Sequence, residues 1–485
     1  MGRIRQLASD TAVYGLTTVV SRLLTYFLVP FYTKYFGTGE YGVITLVFIA
    51  IGFFNVLFTF GMESAYLRYG VDRERATSLF KTLQITILAV GSVLVLLLWS
   101  AAPLIQPVVA LQGGYLDPIY LLMLGILWLD ALATVPFAEL RLVRRTTAYA
   151  GAKLINVAIN VALNLYLVLV LGMGIVSVLI ANVVASGWTL LHTAWLTRKS
   201  YNGSWDGPAL KTALTFGLPY IPAGIGYIIN EGISRVFLNI TPDSTMAALY
   251  GSQYTSADIT GIFGACYKLS VFMMLLTQMF RMAWQPFFMK YANSDGAPKT
   301  FADVFRYYNF VAAGIFLTVA LFVAEIAAIP IPGLRGTVID SRYWLGLSAV
   351  PMLLAAYWFQ GWYTNFTAGV FIREKTKILP KITLAGATIT ILANVALIPY
   401  FGMEGAAWAS VLSYGAMAVM IYRESQKQYP IPYRMASAFL VMATSGLIVA
   451  ATAFEPWLAS FYGKMALLAG GLVMAAAITF WPRKI

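Results

Sequence analysis

The sequence predicts an all-α polytopic membrane protein with fourteen transmembrane helices. Three observations lead to that fold class: the composition, the spacing of apolar runs and the distribution of Lys and Arg. Of the 485 residues, 60% are hydrophobic and only 11% are charged, whereas about 25% of an ordinary soluble protein is charged. A chain this apolar is expected to be embedded in a bilayer.

Apolar runs of about 20 residues, the length that an α-helix needs to cross a bilayer, follow one another along the chain. Short polar connectors separate them, and none of these connectors is long enough to hold a soluble catalytic domain. The predicted spans are 11–33, 42–67, 79–101, 116–138, 148–171, 174–196, 213–239, 259–288, 307–332, 343–371, 379–400, 404–422, 435–453 and 457–481.

The basic residues alternate from one connector to the next. Of the 33 Lys and Arg residues, 25 lie at the termini or after even-numbered spans, four follow odd-numbered spans and four lie inside spans. Cytoplasmic connectors are the ones enriched in Lys and Arg, so both termini are predicted to be cytoplasmic. The net charge of +13 is then explained by topology, and no nucleic-acid partner is expected.

The chain has a single cysteine, Cys266, and a single histidine, His192. An internal disulfide is therefore excluded, and a metal site built from Cys and His ligands is not expected. No GxxxxGK[ST] phosphate-binding loop is present, so ATP is not expected to drive the protein. No cofactor is predicted, apart from a coupling ion.

Two parts of the sequence repeat each other at an offset of 230 residues. The matched positions are Asn164 with Asn394, Gly172–Met173 with Gly402–Met403, and "RRTT" at 144–147 with "EKTK" at 374–377. The repeat relates spans 1–6 to spans 7–12 and predicts three parts, an N-lobe at 1–200, a C-lobe at 201–425 and two added helices at 426–485. Because each lobe has an even number of spans, the repeat is parallel, as in many transporters.

Several motifs then resemble one family. Span 1 and its exit read "SRLLTYFLVPFYTKYFGTGEYG", span 7 begins "FGLPYIPAG", span 8 contains "AWQPF" and span 11 ends "NVALIPYFGMEGAAWAS". In this order and spacing the chain resembles the Wzx-type polysaccharide flippases of O-antigen and exopolysaccharide synthesis. Their superfamily also contains lipid II flippases and multidrug/cation antiporters.

The resemblance implies two six-helix lobes around a central cleft that opens alternately to the two sides of the bacterial inner membrane. It implies transport of undecaprenyl-pyrophosphate-linked oligosaccharides, whose lipid tail stays among the membrane lipids. A polysaccharide polymerase and other assembly proteins are the further partners that such a flippase would serve.

Four charged residues inside predicted spans indicate a binding site. A charge at the centre of a bilayer costs roughly 2.5–3.5 kcal/mol, yet span 7 holds Glu231 and Arg235 four residues apart, on one face of a helix. Arg22 in span 1 and Lys268 in span 8 have no acidic residue nearby in their own helix. Such groups either line an aqueous cavity or pair with one another. A cavity lined by these cations suits a pyrophosphate, because Arg and Lys both bind phosphate oxygens.

Arg281 is a weaker member of the predicted substrate site. It lies 13 residues after Lys268 and near the cytoplasmic end of span 8. Its long side chain can reach the interface instead of the cavity, so both interpretations stay open.

Two carboxylates and two prolines complete the predicted machinery. Glu63 in span 2 and Asp130 in span 4 are the candidate coupling-ion residues, because a carboxylate in low dielectric can carry a proton or bind Na⁺. The alternative for both carboxylates is a salt bridge to Arg22 or to an arginine at the cytoplasmic end of a span, such as Arg68. Pro219 and Pro222 are predicted to form a hinge in span 7, since proline kinks a helix and broken helices lie near binding sites in transporters.

Three other functions remain open from the sequence. A lipid II flippase has the same charge chemistry, although the "EYG" and "AWQPF" motifs resemble the polysaccharide branch more closely. A multidrug/cation antiporter is disfavoured, because cations in a low-dielectric cavity repel a cationic substrate. A membrane-embedded polysaccharide polymerase or ligase would need a catalytic external loop, and the external connectors carry few candidate groups.

Overall fold

The structure is a computed structural model that describes Tyr26, residues 28–333 and residues 336–480, with the backbone alone for Arg73 and Glu74. The described chain is almost wholly helical. Its strands form one short antiparallel pair, β1 (Pro330–Ile331) with β2 (Gly336–Thr337). The predicted all-α class is confirmed.

The chain divides into two compact units. The first runs to Ala247 and includes Gly251–Gly261; the second comprises Ala248–Tyr250 and the chain from Ile262 onward. The helices that lie in the first unit are α1 (Leu28–Tyr35), α2 (Thr38–Thr59), α3 (Met62–Tyr69), α4 (Arg73–Ser100), α5 (Ala102–Ile105), α6 (Pro118–Leu142), α7 (Thr146–Leu169), α8 (Val176–Leu196), α9 (Gly207–Gly217) and α10 (Tyr220–Ile240).

Two helices cross the boundary between the units: α11 (Asp243–Tyr250) and α12 (Ser256–Tyr267). The helices of the second unit are α13 (Val271–Tyr291), α14 (Ala297–Leu321), α15 (Val323–Ala328), α16 (Val350–Ile372), α17 (Ile378–Gln428), α18 (Met435–Ala451), α19 (Pro456–Ala459) and α20 (Phe461–Phe480). Short 3₁₀ turns cover Gln106–Val109, Gly114–Leu116, Arg198–Asn202, Lys268–Ser270 and Ser341–Ala349.

Many of these helices are suited to a bilayer. Within the described residues, nine are long and apolar enough to cross a membrane, and the bent pair α9–α10 makes a tenth when counted as one span. One of the nine, α17, has 51 residues, about 77 Å at 1.5 Å per residue, against a hydrocarbon core of about 30 Å. Gly402 interrupts α17 with φ 51° and ψ −123°, between predicted spans 11 and 12. The multi-pass class is confirmed, and the number fourteen stays a prediction.

The backbone repeats itself at the offset that the sequence predicted. Arg144 and Glu374, 230 residues apart, both have a φ of 55°, a region that residues other than glycine rarely occupy. After each, the next amide donates to the carbonyl five residues earlier at 2.9 Å: Arg145 to Leu140, and Lys375 to Val370. The loops before span 5 and before span 11 therefore share one turn conformation.

The matched glycines agree in the same way. Gly172 has a φ of 62° and Gly402 a φ of 51°, so each ends a helical segment in the left-handed region that glycine tolerates. These equivalences support the internal repeat. The division at 1–200, 201–425 and 426–485 follows that repeat and stays a prediction, because the compact units follow packing instead.

The packing of α10 explains why it belongs to the first compact unit. A Cβ atom added at Gly224 would lie 2.7 Å from the Val56 side chain, and one at Gly232 would lie 2.9 Å from Ile49. Both glycines therefore lie against α2 with no room for a side chain. Close approach of backbones through small residues is a common way for membrane helices to associate.

The last described helix, α20, is fixed to α14 and α15 within the second unit. Lys464 at the start of α20 pairs with Glu325 of α15 at 2.6 Å. At the other end of α20, the Arg306 guanidinium donates to the Thr479 carbonyl at 2.7 and 3.1 Å. Polar contacts thus hold α20 at both of its ends.

Candidate functional site

Two predicted spans are broken within the first unit. The sequence predicts one helix over 42–67, but α2 ends at Thr59 and α3 begins at Met62, with Phe60 and Gly61 at φ 30° and 74°. Predicted span 7 is also divided, since α9 and α10 meet at a bend of 40°. Pro219 lies directly before α10, and Pro222 lies in its first turn. The break agrees with the position predicted for the hinge, whose motion stays a prediction.

The two breaks touch each other. A Cβ atom added at Gly61 would lie 2.4 Å from the Gly217 carbonyl oxygen, and one at Gly217 would lie 2.9 Å from the Phe60 carbonyl oxygen. The contact is between backbones, so neither position has room for a larger residue. The two broken helices are therefore in backbone contact at their breaks.

Glu231 and Arg235 lie one turn apart on α10, on the C-terminal side of the break at Pro219. The Arg235 side chain is buried, with 8% of its surface exposed, and its Nη1 donates to the Glu231 carbonyl at 3.0 Å. The Arg235 carbonyl in turn accepts a long hydrogen bond, 3.5 Å, from the Thr260 hydroxyl. The guanidinium is thus held along its own helix and inside the first unit.

Lys268 lies at an interruption of predicted span 8. The span is built from α12 and α13, and the residues between them, Lys268–Ser270, form a 3₁₀ turn. Such a turn in the middle of a long helix often marks a functional hinge. Next to the turn, the hydroxyls of Tyr267 and Tyr357 hydrogen-bond each other. A basic side chain therefore lies where the span departs from α-helical geometry.

Arg281 lies on α13 and is exposed. Its charge acts on the Tyr363 hydroxyl of α16, which is hydrogen-bonded to Thr383 of α17. Lys268 and Arg281 both belong to the second unit, whereas Glu231 and Arg235 belong to the first. Arg22 lies outside the described residues. Substrate binding by these five residues stays a prediction.

Glu63 forms an ion pair with a basic residue of α6. Its carboxylate accepts from Nη1 of Arg141 at 2.5 Å, and both side chains are partly exposed. The predicted alternative was Arg22 or an arginine at the cytoplasmic end such as Arg68, and Arg141 is an arginine of the second kind. Arg141 comes from the last turn of α6, and only the fold brings this turn beside α3.

Asp130, the second carboxylate, lies inside the first unit near the middle of α6. Its side chain hydrogen-bonds Ser186 of α8, and the Lys153 ammonium of α7 acts on it electrostatically. Lys153 also lies over the Phe137 ring, with Nζ 4.4 Å from the ring centre. Three helices therefore contribute to the surroundings of this carboxylate.

Lys153 is one of the 25 basic residues counted at the termini or after even-numbered spans, and the structure corrects this. Lys153 lies two turns inside α7, where it interacts with the charges of Asp130, Glu63 and Arg141. Two acids and two bases thus form one network, which we call the α6–α7 charge cluster. The sequence signal for this cluster would have been a basic residue well inside one span, Lys153, after a span that contains an acidic residue, Asp130.

A further buried acid was also missed. Glu139 of α6 is 4% exposed and accepts from the Tyr66 hydroxyl at 2.8 Å and the Ser200 hydroxyl at 3.0 Å. The predicted span ended at residue 138, whereas α6 continues to Leu142. In the part of the chain that the structure describes, no group of three or more His, Cys, Asp or Glu side chains could hold a metal ion.

The profile of a family described as "Polysaccharide biosynthesis protein" matches residues 36–330. The chain has no match among curated protein sequences.

Solved structures share the fold. A lipid II flippase MurJ in an inward closed conformation is 13% identical, with a TM-score of 0.67, and the match covers 96% of this chain and 98% of MurJ. An inward-facing MATE family transporter of the MOP superfamily is 14% identical, with a TM-score of 0.65 and coverage of 86% and 94%.

A third similar structure is a MOP superfamily transporter from Pyrococcus furiosus, in which reversed polarity of the binding pocket suggests a different function. It is 13% identical, with a TM-score of 0.54 and coverage of 86% of this chain and 95% of that one. At these identities the likeness concerns the fold. The chain is therefore a multi-pass membrane protein with the MATE and MurJ architecture.

Proposed function

The chain belongs to the polysaccharide biosynthesis protein family, and from this membership we propose that it is a flippase for undecaprenyl-pyrophosphate-linked oligosaccharides. It lies in the bacterial inner membrane and moves the head group across without making or breaking a covalent bond, so it is a transporter and not an enzyme. Its partners are the lipid-linked oligosaccharide, the membrane lipids around the tail, and the polysaccharide polymerase and other assembly proteins that receive the flipped product.

The observation that carries this proposal is the position of Lys268 at the 3₁₀ interruption of a membrane span. Broken helices in transporters lie near substrate sites, and an ammonium group there can bind a phosphate oxygen. Arg235, Arg22 and Arg281 are the proposed further ligands, with Glu231 orienting the Arg235 side chain. The Arg fork suits two phosphate oxygens at once. Organic cations are disfavoured as substrates, because like charges repel strongly in low dielectric.

Alternating access in this proposal uses the broken helices of the first unit. The Gly61 and Gly217 backbones touch, so the breaks in predicted spans 2 and 7 bend together. Pro219 at the second break cannot donate a backbone hydrogen bond, which weakens the helix at that point. The carbonyl of Glu231 and the Arg235 side chain lie on the segment that such a bend would move.

Coupling to an ion gradient or to the membrane potential is proposed for the α6–α7 charge cluster. Asp130 lies near the middle of α6, whereas Glu63 is partly exposed and pairs with Arg141 in the last turn of α6. Intramembrane carboxylates commonly form proton or ion relays in transporters. The coupling ion is H⁺ or Na⁺.

A lipid II flippase is the second candidate, because the MurJ match covers nearly all of both chains and lipid II also carries a pyrophosphate. The two functions differ in the sugar that must pass. A cation antiporter and a membrane-embedded polymerase or ligase are less well supported than either flippase function.

Reconstitution in liposomes separates these functions. Purified protein is given an undecaprenyl-pyrophosphate-linked oligosaccharide, lipid II or an organic cation, and transfer is followed with a membrane-impermeant reagent for the sugars or by tracer uptake for the cation. We expect the oligosaccharide lipid to cross faster than in protein-free liposomes, and faster than lipid II. Preference for lipid II would favour the second candidate. Transport of the cation alone, or of none of the three, would overturn the proposal.

A further inference from the structure

A small cavity lies where three helices of the second unit come together. It is bordered by Arg306 of α14, by Arg434 and Ser437 at the start of α18, and by Thr479 in the last turn of α20. Its volume is about 10 Å³, which is room for one water-sized group. Two arginines and a threonine therefore border one small space between packed helices.

The cavity lies at the predicted boundary of the membrane. Arg306 directly precedes predicted span 9, Arg434 directly precedes predicted span 13, and Thr479 lies two residues before the end of predicted span 14. The alternation of Lys and Arg predicts that these three span ends are cytoplasmic. The fold brings them together, and the polar head groups of the membrane lipids lie at this depth.

Aromatic side chains lie at the same level. The Tyr307 and Phe480 rings are 5.3 Å apart, centre to centre, and the Arg306 guanidinium carbon lies 5.8 Å from the centre of the Phe480 ring. Tyr307 is 60% exposed. Exposed tyrosines are enriched at the interface between lipid and water, so these contacts agree with a position among the head groups.

The Arg306 guanidinium is already bound within the protein. Its Nε and Nη2 donate to the Thr479 carbonyl at 3.1 and 2.7 Å, and its Nη1 donates to the Asp303 carboxylate at 2.8 Å. Asp303 offsets the charge of Arg306, and the two bonds to the carbonyl fix the end of α20. Arg306 thus positions Thr479 beside the cavity.

The Thr479 hydroxyl and Arg434 are the groups that can bind a ligand. Thr479 is 3% exposed, and its Oγ1 has no hydrogen-bond partner among the residues that the structure describes. Native proteins rarely leave a buried hydroxyl unpaired, because its desolvation is unfavourable. Arg434 is exposed and lies at the N-terminus of α18, where the helix dipole also favours an anion.

We propose that this cavity is a binding site for an anionic phospholipid of the cytoplasmic leaflet, whose head-group phosphate is bound by Arg434 and the Thr479 hydroxyl. A phosphate oxygen is about the size of a water molecule, so one oxygen enters the cavity and the rest of the head group stays outside. Basic pockets between membrane helices on the cytoplasmic side bind such head groups.

The surfaces beside the cavity suit the acyl chains of the same lipid. Leu440 of α18 and Val473 of α20 are 47% and 70% exposed, and each lies about two helical turns from the cavity along its own helix. A lipid can therefore place its phosphate at the cavity and its chains against apolar side chains. A soluble phosphate would gain only the first of these contacts.

The bound lipid has a role beyond transport, because it contacts helices that pack against one another. The cavity is bordered by α14, α18 and α20, and none of Glu231, Arg235, Lys268 and Arg281 borders it. A ligand that binds only the folded state stabilises it. We expect the lipid to stabilise the packing of these three helices.

The test titrates delipidated full-length protein in neutral detergent with phosphatidylglycerol or phosphatidylcholine and counts the bound lipids by native mass spectrometry. Phosphatidylglycerol should bind more tightly than phosphatidylcholine. Arg434→Gln should weaken its binding about fivefold, the effect of one arginine near an anionic lipid. Arg423→Gln, which removes an exposed arginine of α17 that does not border the cavity, is the control and should bind phosphatidylglycerol as the wild type does. Equal weakening by the two variants would mean general surface attraction and would overturn the site.

Replacement of Thr479 by valine separates lipid binding from folding. Valine has nearly the same shape, and the hydroxyl that it removes has no partner among the described residues. The unfolding temperature of Thr479→Val with phosphatidylcholine should therefore equal or exceed that of the wild type, whereas phosphatidylglycerol should raise it less than it raises the wild type. A less stable Thr479→Val that keeps the full phosphatidylglycerol effect would show that the hydroxyl serves folding alone, and would overturn its role as a ligand.

Glycerol 3-phosphate distinguishes a lipid site from a site for soluble phosphate. It shares the glycerol phosphate group of phosphatidylglycerol but has no acyl chains, so at equal concentration it should not displace the lipid. Displacement would mean that the cavity takes a soluble phosphate ester, which would overturn the lipid proposal. None of these measurements uses an oligosaccharide lipid, so their outcome is independent of the proposed flippase function.

Discussion

Gly61 and Gly217 meet backbone to backbone, at the points where two membrane spans of the first unit are broken. A Cβ atom on Gly61 would lie 2.4 Å from the Gly217 carbonyl oxygen, and Gly61 has a φ of 74°. Two separate constraints, conformation and space, thus require glycine at residue 61. The pair links the bend of predicted span 2 to the bend of predicted span 7.

Replacement of Gly61 by alanine should destabilise the protein more than the same change at Gly172. Gly172 has a φ of 62° but open space around its Cβ position, so Gly172→Ala should cost about 1–2 kcal/mol for the left-handed conformation alone. Gly61→Ala adds a steric clash of about 1–3 kcal/mol. Thermal unfolding in detergent measures the stability of both variants. Equal losses of stability would show that the backbone contact between Gly61 and Gly217 does not exclude a side chain.

Loss of the Glu63–Arg141 ion pair should affect transport more than stability. Both side chains are more than a third exposed, and exposed pairs contribute about 0–1 kcal/mol. We expect Glu63→Gln and Arg141→Gln to unfold within a few degrees of the wild type, while the flipping rate falls. Lys427→Gln, which breaks the exposed pair with Glu424, is the control for both readings. A large loss of stability with normal flipping would make the Glu63 pair purely structural.

The Tyr250 hydroxyl should stabilise the break in α17. It accepts from the Met403 amide at 2.7 Å and donates to Glu404 at 3.1 Å, directly after the left-handed Gly402. Tyr250→Phe leaves that amide without its partner, which should cost about 1–3 kcal/mol. Tyr254→Phe serves as the control in the same unfolding measurement. Equal stability of the two variants would mean that water replaces the hydroxyl at no cost.

Asp243 should give the connector after α10 a pH-dependent contribution to stability. Its carboxylate accepts from the Ser256 hydroxyl and amide, both at 2.7 Å, and these hydrogen bonds lower the pKa of Asp243. A lowered pKa in the folded state stabilises the protein above the ordinary Asp value of about 3.9. That stability is lost as the pH falls through the lower folded value.

The unfolding temperatures of the wild type and Asp243→Asn should therefore differ at pH 6 and converge toward pH 3. Ser244→Ala, at the exposed neighbouring residue, should show no pH-dependent difference from the wild type. A gap between wild type and Asp243→Asn that is constant with pH would contradict the role of the Ser256 hydrogen bonds.

Hydropathy predicted the membrane class and most span positions, because each helix must satisfy its own backbone in lipid and therefore appears as a separate apolar run. The repeat was also readable, since Gly172 and Gly402 are left-handed turn residues with few substitutes. Pro219 marked the break in predicted span 7, because proline cannot donate a backbone hydrogen bond and kinks a helix. These features depend on the chemistry of single residues or short segments.

The features that were missed depend on tertiary contacts. Gly61 lies in a continuous apolar run without proline, and only the approach of Gly217 explains its break. Lys153 follows a cluster of cytoplasmic arginines and was counted with them, although it lies two turns inside α7, where the charge of Asp130 acts on it. The sequence allowed a salt bridge from Glu63 to an arginine at the cytoplasmic end, but it could not select Arg141, because the two residues are 78 positions apart.

The most direct test of the account is the flipping rate of an undecaprenyl-pyrophosphate-linked oligosaccharide in liposomes that contain the wild type, Lys268→Ala, Arg235→Ala or Arg22→Ala. Arg342→Ala is the control, because Arg342 is exposed and pairs with Asp340 in the connector before α16. The account predicts that at least two of the three intramembrane variants fold normally and lose transport, while the control flips as the wild type does. Normal flipping by Lys268→Ala, Arg235→Ala and Arg22→Ala would contradict the claim that intramembrane cations carry the pyrophosphate.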